Sequence, residues 1–298
     1  MRFLLAGSSG FLGTHLREHL LGRGHDVVRL VRRPPGAGEV QWSPYDGQVD
    51  AAAVEAADVV VNVAGSATLG NPHSKKWARE LRQSRVTTTS VLAQAIAASE
   101  RKPAFLAGNA IGFYGDHGDE VVTEATPSVG NTLLSQVTRD WQRATQPAVD
   151  AGARVCVLRT AVVLDGLSAP LKPQVLQFRA GAGGRLGPGT QYYPVVSVRD
   201  WVAAVTFLAE HDAVSGPVNI CTPNPPTNAE FTSALAERVH RPAVLNVPAG
   251  VIRVTAGAMA AEVLNSVRAV PQALLDAGFT FADPDIGAIL DTALNARR

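Results

Sequence analysis

The chain has 298 residues, 46% of them apolar and 18% charged, which excludes a disordered or disulfide-stapled protein. Lys+Arg 27 against Asp+Glu 26 leaves a net charge of +1, so the basic excess of a nucleic-acid or membrane-surface binder is missing. Two cysteines, Cys156 and Cys221, exclude a multi-Cys zinc site and fit a reducing cytoplasm, and no apolar run is long enough to span a bilayer.

Phe3–Ala6 is a short apolar run and predicts a strand. It ends in Gly7-Ser8-Ser9-Gly10-Phe11-Leu12-Gly13, after which Leu12, Leu16 and Leu20 keep helical spacing until Gly22 and Gly24. Asp26–Val31 is β-branched and predicts a second strand. Pro34, Pro35, Gly36 and Gly38 make a loop, and Val54–Ala57 a short helix. Asp58–Val63 predicts an apolar strand running into Ala64 and Gly65. Lys76–Ser99 predicts a long helix with Trp77, Leu81, Val91, Leu92 and Ile96 facing inward. Pro103–Ala107 then predicts a strand, Leu133–Val149 a helix, Arg154–Leu164 a strand, Trp201–His211 a helix and Pro217–Cys221 a strand. Continuous apolar strands separated by helices mean a parallel sheet covered on both faces.

The rhythm changes after Asp165. Gly181, Gly183, Gly184, Gly187 and Gly189 crowd one stretch; Pro223, Pro225, Pro226, Pro242, Pro248 and Pro271 punctuate the rest, around a predicted helix Asn228–Val239. The expected architecture is α/β: a doubly wound domain over 1–222 and a smaller lobe over 223–298. That lobe is expected to pack over the carboxyl ends of the strands, where such sheets bind ligands.

Gly7-x-x-Gly10-x-x-Gly13 follows a strand and opens a helix. Gly7 permits a tight turn, Gly10 lets backbone approach a pyrophosphate, and Gly13 lets helix and strand pack closely. The helix start offers free N–H groups and a partial positive charge. Ser8 and Ser9 add hydroxyl donors, and Phe11 and Leu12 complete the predicted cradle. Ala64 and Gly65 end a neighbouring strand with a small backbone edge that can lie along a dinucleotide. An acid at the end of the second strand would accept hydrogen bonds from a ribose diol and mark NAD. Here Arg32 and Arg33 stand there, and no acid follows until Glu39. A guanidinium suits a 2′-phosphate, so the expected cofactor is NADP(H).

These features, with Asn62-Val63-Ala64-Gly65 and Gly108-Asn109-Ala110-Ile111-Gly112-Phe113-Tyr114-Gly115, resemble the extended short-chain dehydrogenase/reductases, the Rossmann-like superfamily of nucleotide-sugar epimerases and dehydratases. Ser84-Arg85-Val86-Thr87-Thr88, Gly183–Gln191, Asn219, Pro223–Asn228 and Val270-Pro271 with Ala277-Gly278-Phe279 resemble one branch more closely. Its members are epimerase-like proteins, sometimes labelled cell-division inhibitors, with a C-terminal domain of unknown function. The resemblance implies a cofactor-side role for Arg85 and places Gly108 and Asn109 under the nicotinamide ribose. It also implies chemistry by a Tyr, a Lys four residues later, and a Ser or Thr.

That pair is missing. The tyrosines are Tyr45, Tyr114, Tyr192 and Tyr193, and Asn71, Pro72, Ala98 and Ser168 precede the four lysines by four. The two registers that fit put Leu134 and Thr138, or Ser135 and Arg139, in the Tyr and Lys places. Asn109 stands in the Ser/Thr place. Tyr114 is the nearest phenol in the family layout, so Tyr114 and Asn109 are the catalytic candidates, with His117 as a further titrating group. No metal site is expected. Two readings follow. One is an NADP(H)-dependent oxidoreductase or epimerase-like enzyme on a small carbonyl or sugar-nucleotide-like substrate, as a monomer or homodimer. The other is a silent dinucleotide-binding sensor.

Overall fold

The computed structural model describes residues 1–68 and 70–295. Seven strands form the central sheet: β1 (Arg2–Ala6), β2 (Asp26–Val31), β3 (Glu39–Gln41), β4 (Val59–Asn62), β5 (Ala104–Ala110), β6 (Val155–Thr160) and β7 (Gly216–Ile220). Their spatial order is β3-β2-β1-β4-β5-β6-β7, and every pairing is parallel. Chain direction across the sheet reverses between β1 and β4, which opens the ligand crevice of a doubly wound fold at their carboxyl ends.

Both faces are covered, which explains the unbroken apolar strands. On one face Phe3, Leu5, Val59, Val61, Leu106 and Leu158 pack against α1 (Phe11–Gly22), through Leu16 and Leu20, and against Trp201 and Leu208. On the other, Leu4, Ala6, Val60, Phe105, Ala107 and Val157 pack against Leu92, Ala93 and Ile96 of α2 (Lys75–Ala98). The inward face of α2 is more polar than its apolar spacing predicts. Ser84, Thr88 and Thr89 are buried, while Trp77 is half-buried.

Three expectations change. The helix expected over Leu133–Val149 divides into α3 (Leu133–Arg143) and Gln146–Asp150, because Pro147 has no N–H to continue the ladder and is tolerated only in the first turn of a new helix. The strand expected over Arg154–Leu164 breaks at Ala161. Its second part, Val162–Leu164, leaves the sheet and pairs with Val195–Ser197. The short helix begins earlier, at Ala51–Glu55, because the Asp50 carboxylate caps it by accepting from the Ala52 and Ala53 N–H groups.

A third core holds Leu164, Leu171, Val175, Phe178, Phe231, Leu235, Ile289 and Leu290. It draws from both sides of the 222/223 division, because Val162–Leu164 and helix Leu171–Arg179 have already left the central sheet. Helix Asn228–Val239 starts with a capping box between Thr227 and Glu230. The last segments return to the loops leaving β4 and β5. Ala258 N–H donates to the Pro72 carbonyl at 3.2 Å, and Arg268–Ala269 pairs with Val121–Val122. Among the described residues no helix is long and apolar enough to cross a membrane.

Candidate functional site: the crevice at the strand ends

The glycine loop separates into packing glycines and an open one. Gly7 has φ +85°, and a Cβ there would stand 2.6 Å from the Val63 and Ala64 backbone. A Cβ on Gly13 would stand 2.1 Å from the Gly7 carbonyl oxygen. Both positions are closed to any side chain. Gly10 differs: its Cβ would meet only the Gly7 carbonyl, at 3.4 Å, and its φ of −78° and ψ of 169° suit any residue. Among the described residues no other atom beyond its chain neighbours comes within 4 Å of that position. Gly10 is also the cap of α1, with no side-chain cap and no acid in the first turn, so N–H groups of the first turn stay available. Ser8 is buried beneath this mouth, Leu12 is half-buried, and Ser9, Gly10 and Phe11 are exposed.

At the β2 end the two arginines have different surroundings. Arg33 makes a bidentate pair with Glu39, both N···O distances 2.7 Å, and Arg29 reaches the same carboxylate at 2.8 Å. Arg33 and the Gly36 N–H hold the Glu39 carboxyl down to about 2, so it stays ionised and occupied. Arg32 is exposed, with no ion pair or hydrogen bond among the described residues. The one nearby acid is thus neutralised, and one guanidinium is left over.

The β4 end is held by Asn62. Its Nδ2 donates to Thr89 Oγ1 at 2.9 Å, and its Oδ1 accepts from the Ala64 N–H at 3.1 Å, which fixes the Ala64–Gly65 edge. Arg85 lies across that edge, 3.3 Å from where a Gly65 Cβ would be. Its guanidinium donates to Thr68 Oγ1 and the Leu81 carbonyl and lies 5.3 Å from the Trp141 ring centre. Among the described residues no carboxylate pairs with it, and burial pulls it down to about 10. An incoming anion would find a desolvated cation there.

The β5 residues serve packing. A Cβ on Gly108 would stand 2.8 Å from the Asn62 carbonyl and 3.0 Å from Trp141, which accounts for that glycine without a ligand. Asn109 is buried. Its Nδ2 donates to the Thr138 carbonyl at 3.1 Å, and its Oδ1 accepts from the Ala110 N–H at 2.7 Å. Tyr114 corrects the expectation most sharply, since its side chain is fully buried in the first core rather than facing the crevice. Its hydroxyl donates to Asn219 Oδ1 and accepts from Arg159 Nη1, each at 2.7 Å. Burial pushes the phenol up to about 12 despite Arg159. A phenol so placed ties the turn after β5 to β6 and β7 and gives no proton near neutral pH. His117 is likewise tied, its Nε2 3.2 Å from the Pro127 carbonyl.

One acidic group passed over in the sequence reaches this end of the crevice. Glu262 belongs to helix Ala260–Leu264 of the returning segment. Its Oε1 accepts from Thr132 Oγ1 at 3.5 Å, and its Oε2 lies 3.1 Å from where a Gly112 Cβ would be. Leu134 faces the same point at 3.3 Å. The available signal was a lone acid in the run Ala260-Ala261-Glu262-Val263-Leu264. A shallow hollow lined by Met1, Asp58, Arg101, Lys102 and Asp212 lies at the opposite, amino ends of the strands.

With this geometry in place, the comparisons are specific. Residues 3–163 match the NAD dependent epimerase/dehydratase family, and residues 247–293 match the domain of unknown function DUF1731. The chain is 40% identical to the epimerase family protein Mb2239 of Mycobacterium bovis, over 97% of this chain and 96% of that one. It superposes on the crystal structure of human epimerase family protein SDR39U1 with NADPH, at TM-score 0.89 and 29% identity, covering 99% and 100% of the two chains. A nucleoside-diphosphate sugar epimerase from Corynebacterium glutamicum gives TM-score 0.81 and 34% identity, over 99% of this chain and 58% of that one. The chain therefore belongs to the NAD dependent epimerase/dehydratase family.

Proposed function

We propose that the chain binds NADP(H) and is an oxidoreductase of the extended short-chain type, acting on a small carbonyl or sugar-nucleotide-like compound without a Tyr-x-x-x-Lys pair. The observation that carries the cofactor choice is the β2 end. Glu39 is consumed by Arg29 and Arg33, so it has no free edge for a ribose diol, whereas Arg32 is unpaired. The residues present fit the group: the space at Gly10 takes the pyrophosphate, and the first turn of α1 supplies N–H donors. The Ala64–Gly65 edge and Arg85 border the half of the crevice beyond β4. When bound, the cofactor supplies a hydride or accepts one. That SDR39U1 was crystallised with NADPH supports the same choice.

Fluorescence titration with NADPH and NADH tests this reading. One hydrogen bond to a charged group is worth about 1.5–3 kcal/mol, roughly a tenfold to hundredfold preference for NADPH. Equal affinities would reject it. The silent-sensor reading also has an observation in its favour, since Tyr114 and Asn109 are spent inside the fold. A panel of aldehydes and ketones, followed by NADPH oxidation, separates the two. No turnover with tight NADPH binding selects the sensor.

A further inference from the structure

Which half of the crevice receives the nicotinamide follows from the topology. The adenosine ribose belongs at the β2 end and the pyrophosphate at the β1 loop, so the remaining half runs over β4 and β5. The segment after β5 carries Gly112, and Glu262 covers it. We propose that Glu262, carried over the β5 end by the C-terminal segment, is the group that gives and takes the proton in this crevice, in the place left by the missing phenol. This rests on the NADP(H) oxidoreductase reading above.

Three features place it. The glycine at 112 lets the carboxylate lie directly against the segment after β5, because any side chain there would stand 3.1 Å from Oε2. Leu134, one of the two positions where the family's phenol is expected, borders the same spot. The carboxyl has one hydrogen-bond partner, Thr132 Oγ1, and no ion pair among the described residues. Among the described residues the neighbouring elements bring no counter-charge. Arg253 on the preceding helix and His73 on the loop after β4 are exposed, and Arg139 on α3 is committed to Ser128, Gly130 and Asn131. Asp140, further along α3, pairs with Arg82 and Arg143. Burial therefore dominates and lifts the carboxyl to about 7, against the Thr132 hydrogen bond. A group poised there can act in either direction at neutral pH.

In the reductive direction, a substrate carbonyl carbon gains a hydride, with its two electrons, from NADPH. The C=O π pair moves to oxygen, which takes the proton from the Glu262 carboxyl. The products are an alcohol, NADP⁺ and the Glu262 carboxylate, which water reprotonates.

The opposing possibility is that Glu262 is an ionised cap at the start of α3, where a carboxylate is favoured. The Glu262→Gln variant distinguishes the two without any ligand. Between the ordinary carboxylate range and about 7 only the folded chain holds the extra proton, so wild-type stability falls as pH rises through that window. Melting scans of the apo protein from pH 5 to pH 8 are expected to show wild type losing several degrees relative to Glu262→Gln. Infrared spectra are expected to show a protonated-carboxyl band that fades over the same window and is absent in the variant. A carboxyl ionised throughout, or a band unchanged in the variant, overturns the proposal. NADPH affinity is expected to stay within about threefold of wild type, while turnover of any active carbonyl falls ~10²–10⁴-fold. Unchanged turnover also overturns it. Loss of NADPH preference in the wild type would instead reject the cofactor reading, and the apo titration would still decide the role of Glu262.

Discussion

The two halves of the crevice are built on different principles. Around β1 the shape comes from backbone: Gly7 and Gly13 are glycines because carbonyls stand within 3 Å of their missing side chains, and Gly10 is one because space is left vacant. Around β5 the shape comes from side chains brought from far away in sequence. Asn109 is held by Thr138, Tyr114 by Asn219 and Arg159, and Gly112 is covered by Glu262. A half written in local backbone geometry can be identified from a motif. A half written in distant side chains cannot, because the residue in a family position can be diverted by a neighbour a hundred residues later.

Breaking the first half gives the largest expected effects. Gly10→Val is expected to abolish NADPH binding, measured by fluorescence titration, with circular dichroism and Tm close to wild type. Its backbone angles accept valine, and only the vacant space is lost. A variant that still binds would make the loop a mere turn. Gly13→Ala shows the contrasting failure. Its Cβ would overlap a carbonyl 2.1 Å away, so the fold itself should yield, at or beyond the upper end of the ~1–3 kcal/mol typical of overpacking. Urea unfolding reads this, and a loss below about 1 kcal/mol would mean the loop relaxes freely.

The second half is tested by Tyr114→Phe. Removing the hydroxyl strands Asn219 Oδ1 and weakens the buried Arg159, whose Nε already lacks a partner among the described residues. A loss of about 1–3 kcal/mol in stability is expected, with NADPH affinity and any turnover unchanged below the new Tm. A selective tenfold fall in turnover would return Tyr114 to the chemistry. The smallest expected effect is at β2. Arg32→Ala should lower the NADPH-over-NADH preference about tenfold, or ~1.4 kcal/mol, while Arg33→Ala costs less because Glu39 already holds it. The reverse ranking would show that Glu39 releases Arg33 on binding.

The legibility of the fold follows the same division. Asp26–Val31 and Asn228–Val239 form over the expected residues, since β-branching in one and a Thr-x-x-Glu cap in the other act locally. Glu39–Gln41 has no strand signal in the sequence, because three residues give no periodicity and the strand exists only by pairing with β2. Arg33 was expected to share the 2′-phosphate site, and its pairing with a glutamate six residues on could not be seen from spacing alone. Tyr114 resembled a catalytic phenol only while Asn219 and Arg159 were unplaced.

The packing of the first core depends on residues far along the chain. The first core is completed by Val267, Ala269, Leu274 and Phe281, which lie against the layer holding Trp201, Val218 and Ile220. Asp200, on the helix Val198–Glu210, accepts from the Ala282 and Asp283 N–H groups at 2.9 and 2.8 Å. A fragment ending at residue 222 would hold all seven strands and still present an uncovered apolar flank. A 1–222 fragment is therefore expected to expose that flank and to be less stable than the longer chain, which urea unfolding of the two would read.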